Sequence, residues 1–385
     1  MQNFQFYNPT KIVFGTGKVT ALSSLVPADA RVLILYGGAS AKKTGTLDEV
    51  KAALGSRAVH EFGGIEPNPT YETLMRAVEQ VRREKIDFLL AVGGGSVIDG
   101  TKFVAAAATF DGEPWDILLQ HGSNVQSALP FGAVLTLPAT GSEMNNGSVI
   151  TRKASHTKLA FLSKHVYPQF SVLDPTKTYT LPSRQIANGI ADAFVHTIEQ
   201  YLTYPAQALA QDRFAEGLLQ TLIEIAPKAL AEPADYDARA NLMWTATLAL
   251  NGLIGAGVPQ DWATHMIGHE LTALYNIDHA RTLAIVLPSL LNVQRATKRA
   301  KLLQYADRVW HISSGSEEQR IDEAIDKTRA FFEGLGIKTR LSGYELGREA
   351  VDAVVGQLET HGMTALGEHK DITPEVSRAI LEAAL

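Results

Sequence analysis

The chain has 385 residues, 45% of them hydrophobic and 20% charged, an ordinary globular composition with length for two domains that each bury a core. A net charge of −6 gives no electrostatic footprint for DNA, RNA or an anionic membrane, and no basic leader or run of about 18 apolar residues is visible, so a soluble cytoplasmic protein without nucleic-acid or membrane partners is expected. The absence of cysteine excludes disulfides, iron–sulfur clusters and thiol catalysis.

The first half alternates strands and helices. Lys11–Phe14 reads as a short strand. Arg31–Tyr36 is a continuous apolar run of strand length that ends in Gly37-Gly38-Ala39-Ser40. Leu47–Leu54 is helical, Ala58–Phe62 has strand character, and Tyr71–Lys85 places Leu74, Val78 and Val81 on one helical face. The strand Asp87–Val92 runs into Gly93-Gly94-Gly95-Ser96, and an alanine-rich helix is expected over Phe103–Thr109. A further strand, Gly132–Pro138, leads to Ala139-Thr140-Gly141-Ser142-Glu143. This alternation predicts a mostly parallel sheet, in which ligands bind beyond the carboxyl ends of the strands. The glycine-rich stretch at 93–96 suits an anion, although it does not match G-x-G-x-x-G and equally suits a tight turn. With the strand ends at 37–40 and 136–143, it suggests an extended ligand such as a dinucleotide.

From about residue 182 the pattern is helical: Pro182–Tyr201, Gln207–Glu232 with Pro227 inside, Asp237–Ile254, Thr282–Leu291 interrupted by Pro288, Lys298–Val309, Glu317–Leu335, Glu345–Glu359 and Pro374–Ala384. The charges of Arg299, Lys301, Glu317 and Glu318 read as solvated faces. Two domains follow, an α/β domain over 1–181 and an all-α domain over 182–385.

Asp192 and His196 are four apart on the first of these helices, as are His265 and His269 further on, and that spacing stacks side chains on one face about 6 Å apart. Asp192 and His196 lie off the apolar row Ile186, Ile190, Phe194 and Ile198, so they are expected to line a cleft. With His279 as a further candidate, these groups suggest a box for Fe(II) or Zn(II). The competing reading is chance spacing among eleven histidines.

Phe14-Gly15-Thr16-Gly17, Gly93-Gly94-Gly95-Ser96 with Asp99, Thr136-x-Pro138-x-Thr140-Gly141-Ser142-Glu143, Asp174-Pro175, Asp192-x3-His196 and His265-x3-His269-x9-His279 together resemble the iron-containing (group III) alcohol dehydrogenase family. The segments 61–69 and 257–265 resemble its NADP-dependent aldehyde reductase and butanol dehydrogenase branch. The resemblance implies a nucleotide-binding α/β domain of the dehydroquinate synthase-like type, an all-helical domain, and a homodimer. It implies Asp192, His196, His265 and His279 as metal ligands and His269 as a histidine near the substrate that does not bind the metal; the acid–base chemistry of an imidazole makes His269 the candidate proton relay. Gly94, Gly95, Ser96 and Asp99 would meet the pyrophosphate and nicotinamide ribose, Thr136, Thr140 and Ser142 would line the groove, and Lys158 would contact the cofactor.

NAD-using relatives carry an aspartate where this chain has Gly38. Its absence, with Gly37, Ser40 and Lys42 or Lys43 nearby, suggests room and charge for the 2′-phosphate of NADP(H). The expected reaction is hydride transfer between NADPH and a small aldehyde or alcohol. Apolar neighbours such as Trp244, Leu253, Ile254 and Trp262 would accept many short chains. A lyase of the dehydroquinate synthase kind shares the expected fold but calls for lysine and arginine near the metal, and 257–268 supplies none. A non-catalytic nucleotide sensor with a structural metal would have no use for the additional histidine.

Overall fold

The computed structural model describes every residue except Ala39 and His156, so the place of Ala39 in the turn after Tyr36 lies outside the described residues. The chain forms two compact units. One is Tyr7–Pro182 with Pro233–Thr247, and the other is Met1–Phe6, Ser183–Glu232 and Leu248–Leu385. A single cut at 181/182 therefore misses two exchanges. Met243 belongs to the α/β core and Thr247 Oγ1 hydrogen-bonds Glu143 Oε1, while Gln2 N donates to Gly257 O in the helical unit.

The α/β unit runs β1 Lys11–Phe14, α1 Leu22–Leu25, β2 Arg31–Tyr36, α2 Ser40–Lys43, α3 Thr46–Leu54, β3 Ala58–Phe62, α4 Tyr71–Glu84, β4 Phe88–Gly94, α5 Gly95–Thr109, α6 Asp116–Leu119, β5 Phe131–Leu137, β6 Gly147–Arg152, β7 Thr157–Leu162 and β8 Phe170–Leu173. Six strands form one sheet in the order β1-β8-β5-β4-β2-β3, every neighbouring pair parallel, and β6 and β7 form an antiparallel hairpin.

Alternation along the strands feeds two cores. Leu33, Leu35, Leu89, Ala91, Ala133 and Leu135 pack with residues of α4 and α5, whereas Val32, Ile34, Leu90, Val92 and Val134 pack with residues of α1 and α3. From β2 the chain moves outward to β3, and from β4 it moves the other way to β5. The ends of β2 and β4 therefore flank a topological switch point, the place where such sheets bind ligands.

The structure corrects four sequence expectations. The helix expected over Phe103–Thr109 begins at Gly95, because the glycines that read as a turn carry the strand directly into the helix. Strands β6, β7 and β8 were not foreseen; β8 has only four residues, between Pro168 and Asp174-Pro175. Pro288 does not interrupt its helix, which runs from His279 to Val293 within a buried apolar environment. Lys301 is not on a solvated face: it is buried, its Nζ 2.7 Å from Asp212 Oδ1 and 4.0 Å from the centroid of the Tyr201 ring.

The helical unit contains α7 Ser183–Tyr201, α8 Leu209–Ala231, the end of α9 Tyr236–Ala249, α10 Ala263–Tyr275, α11 His279–Val293, α12 Arg299–Arg308, α13 Glu317–Gly334, α14 Arg348–Thr360 and α15 Pro374–Glu382. Helix α7 is buried on every face from Ile186 to its end, Asp192 and His196 included. Just before α10, Asp261 Oδ1 accepts from Ala263 N at 3.0 Å and Asp261 Oδ2 lies 2.9 Å from Lys298 Nζ. Lys298 is itself buried and also binds Glu368 at 2.7 Å. Burial works against the ammonium, and the Asp261 and Glu368 carboxylates outweigh it, raising the Lys298 pKa.

Replacing Lys298 by Met leaves two buried carboxylates without their cation. The expected cost is about 3–5 kcal/mol, read as a lowered urea midpoint of the metal-free protein.

Candidate functional site

In the helical unit, Asp192, His265 and His279 offer ligand atoms that all lie within 4.8 Å of one another. Asp192 Oδ1 is 4.0 Å from His265 Nε2 and 3.6 Å from His279 Nε2. Ligand atoms around a tetrahedral ion with bonds of about 2.1 Å stand roughly 3.4 Å apart, so a small inward shift closes the set. Asp192 Oδ1 is buried and accepts no hydrogen bond among the described residues, the state of a carboxylate oxygen that needs a cation. One carboxylate with imidazoles is a donor set for Fe(II) or Zn(II), and the residues fit such an ion.

His196 borders the trio on the Asp192 side. Its ring stacks on His265 at 4.6 Å between centroids, and its Nδ1 is 3.8 Å from Asp192 Oδ1. His269 is one turn along α10 from His265, their centroids 6.1 Å apart, and its ring is 5.1 Å from that of His279. Trp262 closes another side, its ring centroid 5.3 Å from that of His265.

Glu199 escaped the sequence reading. It is fully buried on α7, and its carboxylate does two jobs. Oε1 accepts from Thr264 N at 2.7 Å and His265 N at 3.3 Å, capping α10 from another helix because Trp262 at the N-cap supplies no side-chain bond. Oε2 forms a short hydrogen bond with His265 Nδ1. A proton on Nδ1 leaves Nε2 as the lone-pair atom facing Asp192, the usual arrangement of a metal-ligating histidine. Burial and the charge of Asp261 push the Glu199 carboxyl well up from its ordinary range, opposed by the donors of His265 and Thr264. The signal was present: Asp192, His196 and Glu199 follow at i, i+4 and i+7, one helical face.

In the α/β unit, the residues expected to bind the cofactor gather at the strand ends. Gly94, Gly95 and Ser96 pass from β4 into α5, whose first N–H groups have no partner within the helix. A Cβ on Gly95 would stand 2.4 Å from Thr140 Oγ1, so only glycine fits there. Ser96 Oγ accepts from Asn68 N at 3.3 Å, and Lys158 Nζ donates to Asn68 Oδ1 at 2.9 Å, so Asn68 links two of the expected residues.

Asp99 accepts from Ser142 Oγ at 2.5 Å and from Val149 N at 3.0 Å. Beneath it lies the fully buried Lys102, also missed, which donates to Ser142 Oγ, Asn145 Oδ1 and Gly147 O. Burial lowers its pKa to about 8, against the pull of Asp99 and Glu143. Thr136 lies within β5, and Thr140 Oγ1 accepts from Ser142 N at 3.2 Å.

After β2, Gly37, Gly38, Ser40 and Lys43 follow in order, with Gly38, Ser40 and Lys43 exposed. Lys42 is engaged elsewhere, 3.8 Å from Glu61 and over the Tyr36 ring at 5.2 Å. Trp244 packs edge-on to Phe14 in this unit, whereas Leu253, Ile254 and Trp262 belong to the helical one.

A parallel sheet of nucleotide-binding type, joined in one chain to a helical unit that gathers Asp192, His265 and His279, fits a metal-dependent dehydrogenase and equally the lyases that share the fold, and likeness to known proteins decides between them. The family model of iron-containing alcohol dehydrogenases matches residues 9–175, and that of the C-terminal region of the Fe-containing alcohol dehydrogenase family matches 186–385, so the chain belongs to the iron-containing alcohol dehydrogenase family. It is 64% identical to the NADPH-dependent aldehyde reductase YqhD of Escherichia coli (strain K12), over 100% of both chains. The crystal structure of E. coli K-12 YqhD matches with a TM-score of 0.99 and 63% identity, covering 100% of this chain and 99% of that one. A probable NADH-dependent butanol dehydrogenase 1 of Bacillus subtilis (strain 168) is 42% identical over 100% of both chains.

Glu199→Gln keeps an oxygen for the α10 N–H groups but puts an amide donor toward His265 Nδ1, turning the ring to the tautomer that cannot ligate through Nε2. Zinc affinity should fall about 10- to 100-fold in a chelator competition. Glu199→Ala should lose the affinity and also lower the melting temperature of the metal-free protein, because the cap goes with it.

Proposed function

We propose that the protein is a metal-dependent oxidoreductase that transfers a hydride from NADPH to small apolar aldehydes, giving primary alcohols, and runs the reverse reaction. The observation that carries the reading is the meeting of Asp192, His265 and His279 at one buried point, with an unsatisfied carboxylate oxygen, in a chain 64% identical to an NADPH-dependent aldehyde reductase.

An Fe(II) or Zn(II) ion held by Asp192, His196, His265 and His279 supplies Lewis acidity toward a carbonyl oxygen, and NADPH supplies the hydride. Glu199 fixes the His265 tautomer. His269 gives the product oxygen its proton, a task suited to an imidazole beside the ligand set but outside it. Gly94, Gly95 and Ser96 receive the pyrophosphate, and Asp99, Thr136, Thr140, Ser142 and Lys158 border the nicotinamide half.

Gly37, Gly38, Ser40 and Lys43 take the 2′-phosphate, where an aspartate would repel it. Lys43 is the better-placed of the two lysines because Lys42 is held by Glu61 and Tyr36. The reading includes a cytoplasmic homodimer with no nucleic-acid or membrane partner. Among the described residues no helix is long and apolar enough to cross a membrane.

Catalytic efficiency on butanal should favour NADPH over NADH by about tenfold or more, equivalent to roughly 1.4 kcal/mol. Gly38→Asp should erase or invert that preference without disturbing the fold, since a Cβ at Gly38 meets no heavy atom within 4 Å. A wild-type ratio of one or below would refute the cofactor assignment. Asp192→Ala should lose both its metal and its turnover. His269→Ala should keep its metal while turnover drops roughly 10- to 1000-fold, and elemental analysis beside the assay separates the two roles.

A further inference from the structure

Asp278 stands at the N-cap of α11, immediately before His279, and breaks the local rule for that position. An aspartate at an N-cap ordinarily turns its carboxylate back onto the first N–H groups of its own helix, yet Asp278 makes no such bond. Its Oδ2 turns to α7 instead. It accepts from Asn188 Nδ2 at 2.9 Å and Arg184 Nε at 2.9 Å, with Arg184 Nη2 at 2.8 Å. The start of α11 is then carried by the main chain: Asp278 O accepts from Arg281 N at 2.9 Å and Thr282 N at 3.2 Å, and Thr282 Oγ1 donates to His279 O at 2.7 Å.

Asn188 is buried and one turn before Asp192 on the same face of α7. The tie is therefore made one helical turn from the carboxylate and one residue from the histidine that must meet it.

We infer that Asp278, gripped by Asn188 and Arg184, is a positioning residue that fixes where His279 presents Nε2 to Asp192, an inference that rests on the metal reading above. His279 is the first residue of its helix and belongs to the part of the trio that is not fully buried. The α10 ligand His265 has its own carboxylate in Glu199. His279 directly follows Asp278, so the backbone that carries its ring is held wherever Asp278 is held. The Asp278 clamp joins that backbone to α7, so the 3.6 Å approach of Asp192 Oδ1 to His279 Nε2 is built in before any ion arrives. Arg184 is largely exposed and its arm is screened by solvent, so the buried Asn188 arm carries most of the effect.

The test is zinc affinity of the full chain, measured by competition with a chromophoric chelator, for wild type, Asp278→Ala, Asp278→Asn, Asn188→Ala and Asp192→Ala. Asp278→Ala should bind zinc at least about tenfold more weakly. Asp278→Asn keeps one accepting oxygen and should fall between, and Asn188→Ala should shift in the same direction by a smaller factor. The melting temperature of each metal-free variant should stay near wild type while the rise on adding zinc shrinks; a merely structural role would lower both midpoints together. Wild-type zinc affinity in Asp278→Ala or, should that variant not fold, in Asn188→Ala overturns the clamp if Asp192→Ala has lost its zinc. Retention of zinc by Asp192→Ala overturns the metal reading itself.

Discussion

The arrangement of the helical unit depends on one buried carboxylate. Glu199 closes the open start of α10 and holds His265 by Nδ1, so a single side chain fixes where the helix begins, how its histidine is turned and which nitrogen is left to bind. A buried carboxylate is costly without donors, and here it has three, all from α10. Stability and chemistry therefore share one contact. Lys298 extends the same logic outward through Asp261, whose N–H donates to Glu199 O at 2.9 Å and whose Oδ1 holds the first N–H of α10.

Much of the site was legible because its residues recur at helical spacing or at strand ends. Asp192 and His196, and His265 and His269, are pairs that a helix brings onto one face without help from the rest of the fold. Glu199 follows the same rule but was masked by its ordinariness, since a glutamate on a helix usually faces water. Asp278 and Asn188 were beyond reach for a different reason. They come from elements ninety residues apart in sequence, and only the packing of α7 against α11 brings them together.

The α/β half shows where local reading fails. Three glycines have poor helix propensity and read as a turn, but the helix starts on the third, at a position where Thr140 leaves no room for a side chain. Strand β8 was lost to brevity, and Lys301 to the assumption that a lysine among charges is solvated. Its stem and ammonium instead cover the Tyr201 ring beside Asp212. Pro288 sits in a helix buried from Thr282 to Leu291, where tertiary packing outweighs the missing N–H.

The interleaving of the two units bears on how the chain acquires its structure. The α/β unit is not complete at residue 182, since Pro233–Thr247 still has to deliver Met243 to its core, and the helical unit needs Met1–Phe6 from the other end. During synthesis the sheet must therefore wait for some fifty residues of helix to emerge before its last piece arrives, and the first residues made are among the last to be placed. Neither unit corresponds to a continuous stretch of the gene. A fragment ending at 182 lacks part of its own core, and recombination between relatives at that point would exchange incomplete pieces.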